Sequence, residues 1–133
     1  MDGELRIPVA TDMDIVTARQ AGRRLASSLS FSPSDLTVIA AAISEIARNI
    51  IVYANEGEVR IRIVERGGYR GVMVVAQDNG PGITDTQLAL QDGYSTSGSL
   101  GLGLPGARRL MDDFEIESTL GGGTTITMRK WAR

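Results

Sequence analysis

A single helix start governs what this chain can fold into. In Ser32-Pro33-Ser34-Asp35 a natural N-cap residue is followed by a proline suited to the first helical position and by an acid at the positive end of the helix dipole. The helix opened there is predicted to run to about Tyr53, and Ile39, Ile43, Ile46, Ile50 and Ala54 recur at the spacing of one apolar face. Around it the sequence alternates as strands do. Glu4 to Val9 puts Leu5, Ile7 and Val9 on one side, and Glu58 to Glu65 alternates Val59, Ile61 and Ile63 with charge. Val72 to Ala76 is almost wholly apolar and reads as a central strand, reached through a hairpin connection from Arg66 to Gly71. Phe114 to Ser118 and Thr124 to Arg129 are two further strands, joined by Leu120 to Gly123. Thr11, Asp12 and Asp14 supply capping chemistry for a helix running to about Leu29. Leu104 to Met111 is helical, Asp85 to Gln91 is expected to form a short helix, and the small, polar residues 92–100 a mobile segment. Long helices crossing one face of a mostly antiparallel sheet make an α/β two-layer sandwich, and residues 1–133 are expected to form one domain.

Absent residue types narrow the chemistry. There is no histidine, which excludes Ser-His-Asp catalysis, histidine metal sites and a phosphohistidine on this chain. The only lysine is Lys130, so a Walker-type loop and the lysine of an ordinary protein kinase, which sits on an early strand, are both excluded. Any nucleotide must be held by backbone amides, arginine and metal. No cysteine is present to ligate a metal. With a net charge of −2 and scattered basic residues, nucleic-acid binding has no electrostatic support. The arginines Arg19, Arg23 and Arg24 read as a solvated helix face before a partner-binding patch. No continuous apolar run approaches the roughly 20 residues of a membrane span, and no signal-peptide pattern opens the sequence. A cytoplasmic protein with no membrane association is expected.

Four short segments carry the candidate chemistry. Glu45 and Asn49 are four residues apart and so stack on one helix face, apart from the apolar one. A carboxylate beside a carboxamide can hold a metal ion and a polarised hydroxyl or water together. Asp78-Asn79-Gly80-Pro81-Gly82-Ile83 leaves the central strand as a tight turn, or as a pocket floor. In the second case Asp78 accepts a hydrogen bond from an exocyclic amine such as that of adenine, while Gly80 and Gly82 let the backbone approach a flat base. Gly101-Leu102-Gly103 falls where a loop turns into a helix, and free amides at a helix N-terminus bind phosphate. Arg108 and Arg109 could reach phosphate or partner, or form exposed ion pairs. Gly121-Gly122-Gly123-Thr124-Thr125 makes a hairpin turn or brings the Thr124 hydroxyl to the pocket beside Asp78.

Taken in order, these segments resemble the GHKL superfamily of ATPases and kinases, whose Bergerat fold is shared by gyrase, MutL and histidine kinases. Glu45 to Asn49 corresponds to the N-box, Asp78 to Gly82 to the G1 box, Gly101 to Gly103 to the G2 box, and a Gly-Thr element follows. The resemblance covers nearly the whole chain and implies a cofactor set of ATP and Mg²⁺. It implies that Asp78 binds adenine, Asn49 binds Mg²⁺ and Glu45 acts as base, with Gly80, Gly82, Gly101, Leu102, Gly103 and Thr124 around the nucleotide.

Within that superfamily SEIARNI, DGYSTSGSLGLGLPGARRLMDDFEIES and GGGTTITM are similar to the stressosome serine/threonine kinases among the bacterial anti-sigma kinases. That likeness implies phosphorylation of serine or threonine on STAS-domain proteins, followed by binding and activation of a PPM-type phosphatase. Two alternatives stand beside it: a sigma-factor-binding anti-sigma factor that is also a kinase, and a nucleotide-gated binding module without kinase activity. Glu45 argues against the last, since binding alone needs no base. The lid between Ile83 and Gly101 is shorter than in larger members, which argues against a fully closed, long-lived enclosure of ATP.

Overall fold

The computed structural model describes residues 3–80, 103–119 and 121–133. The elements are β1 (Leu5–Val9), α1 (Asp12–Ala26), α2 (Pro33–Ala54), β2 (Gly57–Arg66), β3 (Tyr69–Asp78), α3 (Gly103–Leu110), β4 (Asp113–Thr119) and β5 (Gly123–Trp131). The strands form one antiparallel sheet in the order β1-β2-β3-β5-β4. The period-2 alternation sends Val72, Val74 and Ala76 of β3 and Ile126 and Met128 of β5 to the face that the three helices cover, together with Val59 and Ile61 of β2. Ile39, Ile43, Ile46 and Ile50 of α2 meet them there, with Ile15 and Ala18 of α1 and Leu104 and Ala107 of α3. The expected α/β sandwich with helices on one face is the fold observed. The proposed short helix over 85–91 and the segment 92–100 lie outside the described residues.

Local chemistry sets the element ends, and in three places moves them from where the sequence pattern puts them. At the start of α2 the Ser32 side chain accepts from the Asp35 N–H at 3.1 Å, as the capping signal requires. At the start of α1 the Asp14 carboxylate accepts from the N–H groups of Ala10 and Thr11, at 2.8 and 3.0 Å, which holds its carboxyl below the usual value. Helix α1 stops at Ala26 rather than near Leu29, because the Ser27 and Ser28 hydroxyls donate to the carbonyls of Arg24 and Leu25 and compete with helix continuation. Strand β3 begins at Tyr69, not Val72: Gly67 and Gly68 take φ of 58° and 84°, so the turn needs only two residues and the ladder runs to its tip. Strand β5 continues past Arg129 to Trp131, whose N–H donates to Asp112 at 2.8 Å while its indole N–H donates to Asp113 at 3.2 Å.

Helix α2 is long and apolar enough, by length and composition, to cross a membrane, yet half of its most apolar window is buried within the fold. Its buried positions sweep about half of the helix circumference at 3.6 residues per turn, more than a single stripe. The breadth follows from its neighbours, since α2 packs on the sheet and on α1 and α3.

The connection into β5 makes a quantitative contrast. Gly121 has φ of 78° and open space where a Cβ would stand, whereas at Gly123, with φ of 88°, a Cβ would collide with the Asp78 carbonyl oxygen and lie 3.0 Å from Asn79 Cα. Gly121→Ala should therefore cost about 1–2 kcal/mol, the left-handed backbone penalty alone. Gly123→Ala should cost at least about 1 kcal/mol more, through overpacking against backbone that cannot rotate away. Urea denaturation of the two variants at equal m-value checks the difference.

Candidate functional site

The β3–β5 register builds the site. It places Asp78, the last residue of β3, opposite Thr124, the second of β5, and the β2–β3 register places Gly57 on the other side of Asp78. Because Asp78 continues the series Val72, Val74 and Ala76, its side chain belongs to the helix-covered face, where it is buried. Asp78 Oδ1 accepts from the Gly80 N–H at 2.9 Å and from the Thr124 N–H at 3.3 Å. Two backbone donors thus fix the plane of the carboxylate. The Thr124 hydroxyl lies 3.0 Å from the Ser118 hydroxyl on β4.

Helix α2 closes over this end of the sheet. A Cβ on Gly57 would lie 2.8 Å from Ile50 Cγ2 and 3.1 Å from Asp78 Cβ, and one on Gly80 would lie 2.6 Å from Ala54 Cβ. Glycine at both positions is what lets helix, strand and turn approach so closely. Asn49 is one residue from Ile50 and is itself buried, 8 % exposed. The sequence spacing predicts the polar pair on a face apart from the apolar one. Instead Asn49 lies at the margin of the wide buried arc, because α1 and α3 as well as the sheet cover α2. Glu45 comes next outward, with its side chain 11 % exposed, then Arg48 at 37 %. Arg48 Nη1 donates to Glu45 Oε1 at 3.0 Å. The sequence pattern alone did not single out this pair, although the three-residue spacing of Glu45 and Arg48 is a signal for it.

Among the described residues the buried polar side chains are Asn49, Asp78 and Thr124. All three are candidates from the sequence, and Asp78 meets Thr124 through the Thr124 backbone N–H, while the Thr124 hydroxyl pairs with Ser118. Gly103 opens α3 as expected of a loop-to-helix junction, while Gly82, Gly101 and Leu102 lie outside the described residues. Arg108 and Arg109 are exposed in the last turn of α3, and Arg23 and Arg24 on α1 are exposed too. Lys130 serves the fold. Its ammonium donates to the Leu110 carbonyl at the end of α3, at 3.3 Å, and lies 3.8 Å from Asp112. No group of three histidine, cysteine or acidic side chains is placed to hold a metal among the described residues. A metal here needs ligands from a nucleotide as well as from the chain, and a carboxamide oxygen such as that of Asn49 is the hard ligand a magnesium ion takes.

An open cleft of about 360 Å³ lies at the opposite end of the sheet, lined by Arg66, Tyr69, Asp112, Asp113, Trp131 and Arg133. Its charges pair with one another, Arg66 with Asp113 at 3.3 Å and Arg133 with Asp112 at 3.9 Å, and Arg66 stacks 4.8 Å from the Trp131 ring centre. It fastens the end of β5 rather than presenting unsatisfied groups to a ligand.

Comparison with known proteins agrees with this arrangement. Residues 34–132 match the family described as histidine kinase-, DNA gyrase B- and HSP90-like ATPase. The chain is 47% identical over 133 residues to the serine/threonine-protein kinase RsbT of Bacillus subtilis, covering 100% of both chains. It is 30% identical over 119 residues to an anti-sigma F factor of Clostridium kluyveri, covering 85% of this chain and 82% of that one. In fold it is similar to the mycobacterial sensor histidine kinase MprB, with a TM-score of 0.56 and 17% identity over 100% of this chain and 99% of that one. It is similar to the same degree, 0.56 and 17%, to a chain of the SiaB-SiaC complex from Pseudomonas aeruginosa, covering 96% of this chain and 89% of that one. The chain belongs to the histidine kinase-, DNA gyrase B- and HSP90-like ATPase family and, within it, to the group of the serine/threonine-protein kinase RsbT.

Proposed function

We propose that this ATP-dependent serine/threonine kinase phosphorylates a folded STAS-domain partner in a bacterial partner switch and, once released from it, binds and activates a PPM-type phosphatase. The observation that carries the reading is the burial of three polar side chains, Asn49, Asp78 and Thr124, at the end of the sheet where α2 crosses it. The Asp78 carboxylate and the Thr124 hydroxyl already have partners within the chain, and a carboxylate retains acceptor capacity beyond the two amides it meets, which suits a donor on a nucleotide. The amine of adenine donates to the Asp78 carboxylate, whose orientation Gly80 and Thr124 fix. Asn49 would be the chain's ligand to a Mg²⁺ ion, which would supply charge neutralisation at the phosphates. Helix α3 begins at Gly103, so its N-terminal amides suit the phosphates without a lysine.

Glu45 is the residue placed to take a proton. An acceptor hydroxyl in hydrogen-bonding reach gives its proton to the carboxylate as its oxygen bonds the γ-phosphorus. The bond from that phosphorus to the bridging oxygen breaks, and ADP leaves with the electron pair. The sequence between Ile83 and Gly101 is short, which suits an acceptor presented by another protein rather than one sealed inside a lid. The phosphate then adds nearly two negative charges to an interface that already holds Glu45 and ADP, and repulsion releases the product. The second reading, an anti-sigma factor that is also a kinase, draws on the 30% identity to an anti-sigma F factor. It stands behind the first because identity to the kinase RsbT is 47%.

Three measurements check the scheme. Asp78→Asn turns an acceptor toward a donor, so ATP affinity in titration calorimetry should fall by about 1–3 kcal/mol; unchanged affinity removes the adenine assignment. Asn49→Ala should abolish magnesium-dependent binding and transfer together, whereas Glu45→Ala should bind ATP nearly as wild type and transfer phosphate about 10²–10⁴-fold more slowly. Incubation with labelled ATP, Mg²⁺ and STAS-domain proteins should label a serine or threonine and weaken the complex. No labelling of any STAS partner, or equal affinity for both forms, would sink the switching model.

A further inference from the structure

Phosphoryl transfer through Glu45 leaves the arginine beside it on α2 without a function. Arg48 follows Glu45 by three residues, so the helix stacks the two side chains, and Nη1 meets Oε1 at 3.0 Å. The exposures grade outward from Asn49 through Glu45 to Arg48. The carboxylate therefore lies between a buried amide and a guanidinium at the rim, all within less than two turns of one rigid helix.

We propose that Arg48 is the positioning residue for the Glu45 carboxylate during phosphoryl transfer; the proposal rests on the reading of Glu45 as the base. Two physical demands point to it. The first is geometric. A glutamate side chain turns about three bonds, and a base that swings among rotamers is rarely aimed at the acceptor proton. A hydrogen bond from a neighbour on the same helix fixes one carboxylate oxygen and with it the plane of the group. The second demand is electrostatic. A carboxylate must stay near the phosphates of ATP while remaining ionised, and like charges repel at that range. The guanidinium beside it supplies opposite charge where the repulsion would otherwise push Glu45 out of line. Arg48 itself touches neither the acceptor hydroxyl nor the transferred phosphorus in this scheme; it acts through Glu45.

A merely structural role predicts something different. Ion pairs on partly exposed helix surfaces contribute little to stability, and loss of such a pair would leave phosphate transfer unchanged. Loss of a positioning contact slows the chemical step without changing how ATP binds, because misplacing a reacting group by about 1 Å can cost up to about 10²-fold. Since the contact runs from Nη1 to Oε1, an ammonium in place of the guanidinium retains the charge and can still reach the carboxylate.

The test compares wild type with Arg48→Gln, Arg48→Lys, Glu45→Gln and the double variant Glu45→Gln with Arg48→Gln. Each is assayed under single-turnover conditions with γ-labelled ATP and Mg²⁺. The acceptors are a STAS-domain protein and, in its absence, water. Affinity is read separately by titration with a fluorescent ATP analogue, and folding by thermal melts. Arg48→Gln should lower the transfer rate by about 10- to 10²-fold with analogue affinity within about twofold of wild type, and Arg48→Lys should recover most of the rate. In the double variant the arginine change should add no further loss to that of Glu45→Gln, since the two act as a unit. If Glu45→Gln transfers at the wild-type rate, or wild type turns over neither acceptor, the base reading fails and this proposal with it. If Glu45→Gln is slow but Arg48→Gln is as fast as wild type, the base reading stands and the positioning role alone is overturned. A faster Arg48→Gln, or an equal arginine effect in both backgrounds, overturns it as well.

Discussion

The packing of α2 on the sheet is the constraint on which the rest of the molecule depends. One face of that helix fills the core with Ile39, Ile43, Ile46 and Ile50, and its last turn lies over the end of β3. The approach is close enough that glycine is required on both sides of Asp78 in space, at Gly57 across the ladder and at Gly80 in the following turn. The same contact that stabilises the core thus brings the polar residues of a helix and of two strands within one site. Apolar burial supplies the driving force, and the site takes the margin where that burial ends. Asn49 sits at this margin, buried at 8 % exposure beside the more exposed Glu45 and Arg48.

Charge is arranged in keeping with that division. The lone lysine is engaged at the far end of the sheet, tied to the Leu110 carbonyl and near Asp112, and the surrounding Arg66, Arg133 and Asp113 are paired as well. Beside the other end of the sheet, Arg48 pairs with Glu45 on α2, and the amides of Gly80 and Thr124 meet the Asp78 carboxylate. Amides held by secondary structure are preorganised and need no reordering when charge develops, which is the favourable situation for a phosphate group.

Much of this was legible in the sequence. The Ser32-Pro33 start and the isoleucine spacing located α2, and the apolar run Val72 to Ala76 located the central strand with Asp78 just beyond it. What was missed had local or three-dimensional causes. Serine hydroxyls that recapture carbonyls shortened α1, and two glycines at positive φ lengthened β3. The burial of Asn49 could not be read from one apolar stripe, because it depends on how many elements finally cover α2. The Glu45–Arg48 contact was within reach of a spacing rule but not of any rule that says which neighbour a glutamate prefers. Gly82, Gly101 and Leu102 belong to residues outside those the structure describes.

The strand order has a consequence for how the molecule comes together. Strand β5 is last among the described strands yet sits between β3 and β4, and among the described residues β4 pairs with no other strand. Strands β4 and β5 form a local hairpin, whereas the pairing of β5 with β3 joins residues that are distant in sequence. Such non-local pairing is the slow part of folding, because loop-closure entropy is lost before contacts reward it. Strand β5 also carries Thr124, whose amide fixes Asp78. The Asp78 carboxylate therefore has both of its backbone donors only once the last strand is in the sheet, so this buried corner is completed by the same pairing that closes the sheet.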